Sequence, residues 1–318
     1  MIASHSLIGA SLYPGLSTQM LNCLGMCNYA SGGNAQGYNI STHIIPYCTD
    51  LNSAMGTVIG QRADTELLYL NDNFTVAFQS TAPQAWIGLG GATTSSALWS
   101  LSCRIDLYLR PDGFYNSAPV STMMSPINIP QNIQQTINIP VSDANNDIIS
   151  CRWASGFAEC GDACPPSSLP AGTILYPNCT MEITGTVLNA YYAITIMVRT
   201  LADEDAENNI VQEIVPITIP LHVVSASTCT LAPEIIGAPA ALSCTSVQVG
   251  VIFTTTLIAK NNCPVTGSIT EISTLSLSGI SKSALTNSNS SIYYRTITWQ
   301  PTLAQIGPQL LCAIAVDR

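Results

Sequence analysis

Apolar and polar residues alternate along most of the chain in runs of about five to eight, bounded by Pro, Gly, Asn and Asp, which is the period of a half-buried β-strand. No long window carries the 3.6-residue apolar period of an amphipathic helix. The pattern predicts strands in TELLYL, FTVAFQS, LSCRIDLYLR, QQTINIPVS, IISCRWA, CTMEITGTV, AYYAITIMVRT, EIVPITIPLHVV, GVIFTTTLIA, SIYYRTITWQP and PQLLCAIAVD. Turn signals recur about every eight to twelve residues, a spacing that suits β-sandwiches rather than an α/β layout. The expected fold class is therefore all-β, in tandem sandwich modules.

Two polar, proline-bearing stretches divide the run of strands: Ser125 to Gln134 and Ser225 to Glu234. Proline at such joints stiffens the connection. The expected organisation is an N-terminal extension, 1–20, then modules at 21–128, 129–228 and 229–318.

Charge changes the picture of partners. Only 9% of the residues are charged, with 9 Lys+Arg against 19 Asp+Glu and a net charge of -10. That balance argues against nucleic acid and against anionic membrane surfaces. Mean hydropathy is +0.30, yet no stretch approaches the roughly 18 apolar residues of a spanning helix, so membrane insertion is not expected. The N-terminus lacks a basic segment, the first Lys or Arg being Arg62. Either a secretion signal has been removed or the numbering begins inside a longer precursor.

Twelve cysteines fall into three groups of four: Cys23, Cys27, Cys48 and Cys103; Cys151, Cys160, Cys164 and Cys179; Cys229, Cys244, Cys263 and Cys312. An even number per module is the mark of separately cross-linked domains in an oxidising compartment, and the pairing within each group stays open. Zinc would need paired knuckles with histidine nearby, and the spacings at Cys23/Cys27 and Cys160/Cys164 do not supply them. N-x-[ST] acceptors at Asn39, Asn73, Asn178 and Asn289 point to N-linked glycans on a secreted, extracellular protein. The glycans would add the solubility that charge does not.

The segment Ile137 to Gly185 carries I-P-V-x-D-x-x-x-D, C-R-W, E-C-G-x-x-C, L-P-x-G-T and C-T-x-x-I-T-G. It resembles a module of large secreted and cell-surface animal proteins. Trp299, Pro301, Gly307, Ala315 and Asp317 in the last module resemble the marks of Ig-like and cadherin-like domains. The resemblance implies Ig-like sandwiches with architectural and interaction roles and no catalytic activity.

The residues themselves agree on the absence of an enzyme. Only His5, His43 and His222 exist, and no G-x-S-x-G elbow accompanies them. Asp203, Glu204 and Asp205 read as a solvated charge cluster. Asp143, Asn145 and Asp147 set oxygens at alternate positions, as a calcium site does, and an Asx-type turn uses the same residues. No other cofactor is expected.

The final strand carries the leading functional expectation. The second module follows AYYAITIMVRT with EIVPITIPLHVV, whereas the third reaches PQLLCAIAVD and the sequence stops. The C-terminal module is thus expected to lack its last strand and to present an acceptor edge at Leu310, Cys312, Ile314 and Val316. Met1 to Gly15, with Ile2, Ile8, Ala10 and Leu12 on one face, is the expected donor strand. In trans this gives a head-to-tail homopolymer, an extracellular structural filament. The alternative is an adhesion or ligand-binding ectodomain cut from a larger cell-surface protein.

Overall fold

The computed structural model describes residues 20–25, 27, 44–52, 57–62, 64–68, 70–81, 86–89, 92–94, 98–110, 112–121, 123, 126–201, 211–227, 229, 231–237, 239–240, 243–275, 277, 279–307 and 309–317. They form two compact units. The larger holds the described residues of Tyr13–Ile45 and Ala63–Ala226, and the smaller those of Pro46–Arg62 and Ser227–Arg318.

The first strands are β1 (Asn22–Gly25), β2 (Tyr47–Asn52), β3 (Thr57–Gln61), β4 (Asn73–Thr81), β5 (Trp86–Leu89), β6 (Ala92–Thr94), β7 (Leu98–Asp106) and β8 (Val120–Ser121). Next come β9 (Ile127–Pro130), β10 (Gln134–Asn138), β11 (Val141–Ser142), β12 (Ile148–Trp153), the one-turn helix α1 (Phe157–Cys160), β13 (Ile174–Leu175), β14 (Thr180–Thr184), β15 (Tyr191–Leu201) and β16 (Val211–Val224). The smaller unit continues with β17 (Glu234–Ile236), β18 (Phe253–Lys260), β19 (Ile269–Leu275), β20 (Ser281–Lys282), β21 (Thr286–Asn289), β22 (Ile292–Trp299) and β23 (Cys312–Asp317).

In the larger unit one sheet has the order β10-β14-β13. The other contains β12-β15-β16, with β9 running parallel on the far side of β16. Taken in chain order, β10, β14 and β13 hold the B, E and D places of an immunoglobulin-type sandwich, and β12, β15 and β16 hold C, F and G. The sequence of β14 shows why it folds this way: Met181 and Ile183 turn inward, while Thr180, Glu182 and Thr184 are only half-buried. In β16, Ile219, Leu221 and Val223 are buried on the same core, each contributing about 1.5–3 kcal/mol of burial. Gly185 lies so close to this core that an added Cβ would meet Val223 Cγ2 at 2.5 Å. The disulfide Cys151–Cys179 ties β12 to the residue before β14, joining the two sheets.

The long sheet extends beyond the sandwich. The outer edge of β16 meets β7 at Ile214, and β7 carries β4 and then β1. Pro216 and Pro220 fall between that contact and the β9 pairing at Leu221, an interval where a missing N–H costs no described ladder bond. Strands from before and after residue 128 therefore share one sheet, and that position falls within β9.

The smaller unit repeats the plan in reduced form. One sheet runs β17-β18-β22-β20 with β21 also on β22, the A-B-E-D order. Facing it, β19 and β23 occupy the C and F places. Among the described residues no strand fills the G place. Its core of Leu257, Ala259, Ile269, Ile272 and Ile297 is far smaller than that of the larger unit. The β2–β3 hairpin belongs to this unit.

Three expected strands differ. The described residues of Thr65 to Leu70 form none: Leu67 and Leu70 are exposed, and the chain turns through Asn71 at φ 64. QQTINIPVS divides into β10 and β11 around Pro140, which has no N–H to continue a ladder. The last strand begins at Cys312, so Leu310 precedes it.

Candidate functional site

The candidate surfaces grow out of the larger unit's long sheet. Strand β15 is buried on both faces, which explains why its sequence shows no polar alternation. Tyr192, Ile194, Ile196 and Val198 face the sandwich core. On the opposite face Met197 packs with Ala154, Cys160 and Cys164, because the segment around α1 folds back over the sheet. Thr195 Oγ1 donates to the Ala163 carbonyl at 2.9 Å, and the Ser100 hydroxyl donates to the Ala158 carbonyl. The Leu98 amide donates to Asp162 Oδ2 at 2.8 Å, and the Asp162 amide returns a bond to the Leu98 carbonyl at 2.9 Å. The disulfide Cys160–Cys164 closes this cover.

A second feature is the loop after β7. The Arg110 guanidinium donates from Nη1 to Asp147 Oδ2 and from Nη2 to Asp147 Oδ1, both at 2.8 Å. Arg110 Nη1 also reaches Asn116 Oδ1 at 2.9 Å, and Asn116 Nδ2 donates to Thr200 Oγ1 of β15 at 3.1 Å. Burial alone would lower the Arg110 pKa, and the Asp147 carboxylate, together with Asp112 and Asp143, more than offsets it, raising the value. The tip turns at Gly113, with the Phe114 amide donating to Asp112 Oδ1 at 2.9 Å. This rigid mount leaves Tyr108, Leu109, Phe114 and Tyr115 exposed, Phe114 by 70%.

The calcium candidates come together here as a turn. Asp143 Oδ2 accepts from the amides of Asn145 and Asp147 at 2.8 and 3.0 Å, and Asn146 takes φ 61. Asn145 Oδ1 accepts from the Ser117 amide at 2.6 Å. Asp147 is engaged by Arg110 through both oxygens, so the cation facing it is a guanidinium. Among the described residues no group of three or more His, Cys, Asp or Glu is placed to hold a metal ion.

Asn178 sits on an exposed turn and Asn289 is the exposed last residue of β21, and in each the side-chain oxygen is the bonded atom, accepting from the amides of Thr180, and of Ser291 and Ile292. Asn73 differs: its Nδ2 donates to Asp106 Oδ2 at 3.0 Å, and its Oδ1 accepts from Arg104. Asn39 lies outside the described residues, as do the donor positions Ile2, Ile8, Ala10 and Leu12.

The described cysteines form the disulfides Cys23–Cys27, Cys151–Cys179, Cys160–Cys164 and Cys229–Cys263. Cys48 is buried in β2 and Cys103 is half-buried in β7. Cys244 is an exposed thiol, and burial raises the pKa of the Cys312 thiol. Of the acceptor positions, Cys312, Ile314 and Val316 lie on β23 opposite Leu275, Ser273 and Glu271. They are half-buried.

Two further ion pairs escaped the sequence. Arg152 grips both oxygens of Glu159 at 2.7 and 2.8 Å, and Arg295 on β22 meets Glu271 on β19 between the sheets of the smaller unit. The signal available was scarcity: with only 9 Lys+Arg in the chain, an arginine inside a strand pattern has a reason to be there. His222 lies on β16, stacks on Tyr191 with centroids 4.2 Å apart and faces Asn128.

No protein-family model matches the chain, and no curated protein matches it. Among solved structures it is similar to a crystal structure of Down Syndrome Cell Adhesion Molecule (DSCAM) isoform 1.30.30, N-terminal eight Ig domains, at 14% identity and a TM-score of 0.22, over 81% of this chain and 40% of that one. It is also similar to a crystal structure of Dpr2 Ig1-Ig2 in complex with DIP-Theta Ig1-Ig3, at 10% identity and a TM-score of 0.21, over 72% of this chain and 73% of that one. At that level of superposition the likeness carries no argument, and the Ig-like assignment rests on the strand order within this chain. Among the described residues no helix is long and apolar enough to cross a membrane.

Proposed function

We propose that this chain is an extracellular or cell-surface recognition protein, an adhesion or ligand-binding ectodomain without catalytic activity. The observation that carries this reading is the loop at Tyr108 to Tyr115, whose aromatic tip is exposed while Arg110 and Asp147 fix its base. Rigid aromatic side chains on a stapled sandwich are the usual anchors of protein–protein contacts, since they bury much area for little lost freedom. A fluorescent tetramer of the chain, applied to intact cells, tests it. Staining that falls for Tyr108→Ser/Phe114→Ser, with unchanged circular dichroism, supports recognition through this loop; equal staining by the variant contradicts it.

A second reading is favoured by β23, which has β19 as its one hydrogen-bonded neighbour among the described strands. An edge of this kind accepts extended segments. In this reading subunits join head to tail by strand donation into a glycosylated extracellular filament. Sedimentation velocity with negative-stain imaging tests it: filaments support it, and monomers at high concentration contradict it.

A further inference from the structure

We propose that the aromatic loop after β7 takes an arginine-bearing segment of a partner protein, whose guanidiniums stack on Tyr108, Phe114 and Tyr115 while their charge is met by carboxylates around the base of the loop. The inference rests on the recognition reading above and names the chemistry of the partner.

The tip offers rings rather than a free cation. Asp112 Oδ1 accepts from the Phe114 amide at 2.9 Å, and Asp112 Oδ2 lies 3.4 Å from Arg110 Nε. Arg110 is itself gripped by both oxygens of Asp147 and kept from solvent. Tyr108, Phe114 and Tyr115 remain exposed above this mount. The face of an aromatic ring carries negative potential and attracts a cation. A guanidinium suits it best, being planar and weakly hydrated.

The setting of the loop decides the sign of the partner. Asp106 Oδ1 accepts from the Tyr108 amide at 3.1 Å, and the Asp72 carbonyl accepts from the Leu107 amide at 2.8 Å. On the other side, Asp143 Oδ2 holds the amides of Asn145 and Asp147. Five carboxylates, of Asp72, Asp106, Asp112, Asp143 and Asp147, thus gather about the loop. The described guanidiniums nearby do not balance them. Arg110 is spent on Asp147, Arg104 donates to Asn73 Oδ1 at 3.3 Å, and Arg199 is half-buried on β15. Charges are screened over about 8 Å at physiological salt, so a docked cation feels these neighbours more than the net charge of the whole chain. An acidic partner would be repelled. A purely apolar one would cover carboxylates without replacing their water.

Binding of the full chain to an immobilised oligo-arginine peptide, with an oligo-serine peptide as the control surface, tests the proposal. Tyr108→Ser/Phe114→Ser leaves every charge in place, and is expected to weaken binding to oligo-arginine by about fivefold through the lost stacking. Asp112→Asn keeps the oxygen that caps the loop, and should weaken binding by about twofold and reduce its salt dependence. Glu234→Gln, an exposed charge change in the smaller unit, should bind as the parent does. Equal binding by the parent and the Tyr108/Phe114 variant overturns the proposal, because attraction is then a matter of overall charge. Absence of binding by the parent also overturns it; if cell staining still depends on the loop, the recognition reading stands with a partner of other chemistry.

Discussion

Arg110 and Asp147, 37 residues apart, meet in a two-point ion pair with both N–O distances at 2.8 Å and side chains only 12% and 5% exposed. The pair locks the aromatic loop to the turn before β12, and the Asn116 side chain carries the linkage on to Thr200. Removing one member strands the other charge in a poorly hydrated place. Arg110→Ala is expected to cost about 3–5 kcal/mol of stability in the larger unit. Arg110→Lys keeps the charge but gives up the fork geometry and should fall between. Urea unfolding followed by tryptophan fluorescence measures both, and an Ala variant within error of the parent would contradict the assignment.

Acid should loosen the cover over β15. Burial on its own would push the Glu159 carboxyl up, but the two-point contact with Arg152 and the Ser155 amide outweigh it and hold the pKa below the ordinary carboxylate value. A carboxyl depressed in the folded state contributes stability above its unfolded pKa and loses it as pH falls through the folded value. Glu159→Gln should therefore be less stable than the parent at neutral pH, with the gap closing below the usual carboxylate range. The partial exposure of the pair keeps the difference small. Stability of both proteins across acid and neutral pH gives the comparison; a constant gap would contradict the linkage.

Gly161 takes φ +57, and a Cβ there would meet the Leu98 carbonyl oxygen at 2.2 Å, with that backbone fixed by its bonds to Asp162. Gly113 has a positive φ as well, but open space around it. Gly161→Ala should cost more than the ~1–2 kcal/mol of left-handed strain expected for Gly113→Ala. The melting temperatures of the two variants rank them, and equal shifts would contradict the close approach.

Glycan occupancy should divide the described sequons. A glycan joins the side-chain nitrogen of asparagine, and at Asn73 that nitrogen already donates to Asp106. At Asn178 and Asn289 the engaged atom is the oxygen. Peptide mass spectrometry of protein from a secreting animal cell line is expected to find Asn178 and Asn289 occupied and Asn73 sparse. Full occupancy at Asn73 would contradict this.

Period-two patterning revealed most strands, because one face of each meets a core and the other does not: β14 and β16 could be read directly from Met181/Ile183 and from Ile219/Leu221/Val223. What the pattern could not reveal is which strands share a sheet. Nothing in the local sequence links Arg104 to Ile214, the contact that carries one sheet past residue 128. Patterning also failed at Leu67 and Leu70, where an apolar run lies exposed. The four-residue helix α1 is too short to show a period, and Met197 gave no sign that a disulfide-closed segment would cover it. The Asp143–Asp147 stretch was recognisable as a turn or an ion site, but its partner, Arg110, lies too far away in sequence to be inferred.

The proposal that this chain works outside the cell rests on disulfides that staple an Ig-type sandwich and its cover. Its most direct test is rapid alkylation of the chain from culture medium, followed by peptide mapping without reduction. The predicted result is a Cys151–Cys179 linkage across the two sheets and a Cys160–Cys164 linkage in the cover. Recovery of these four cysteines as alkylated thiols would contradict the account.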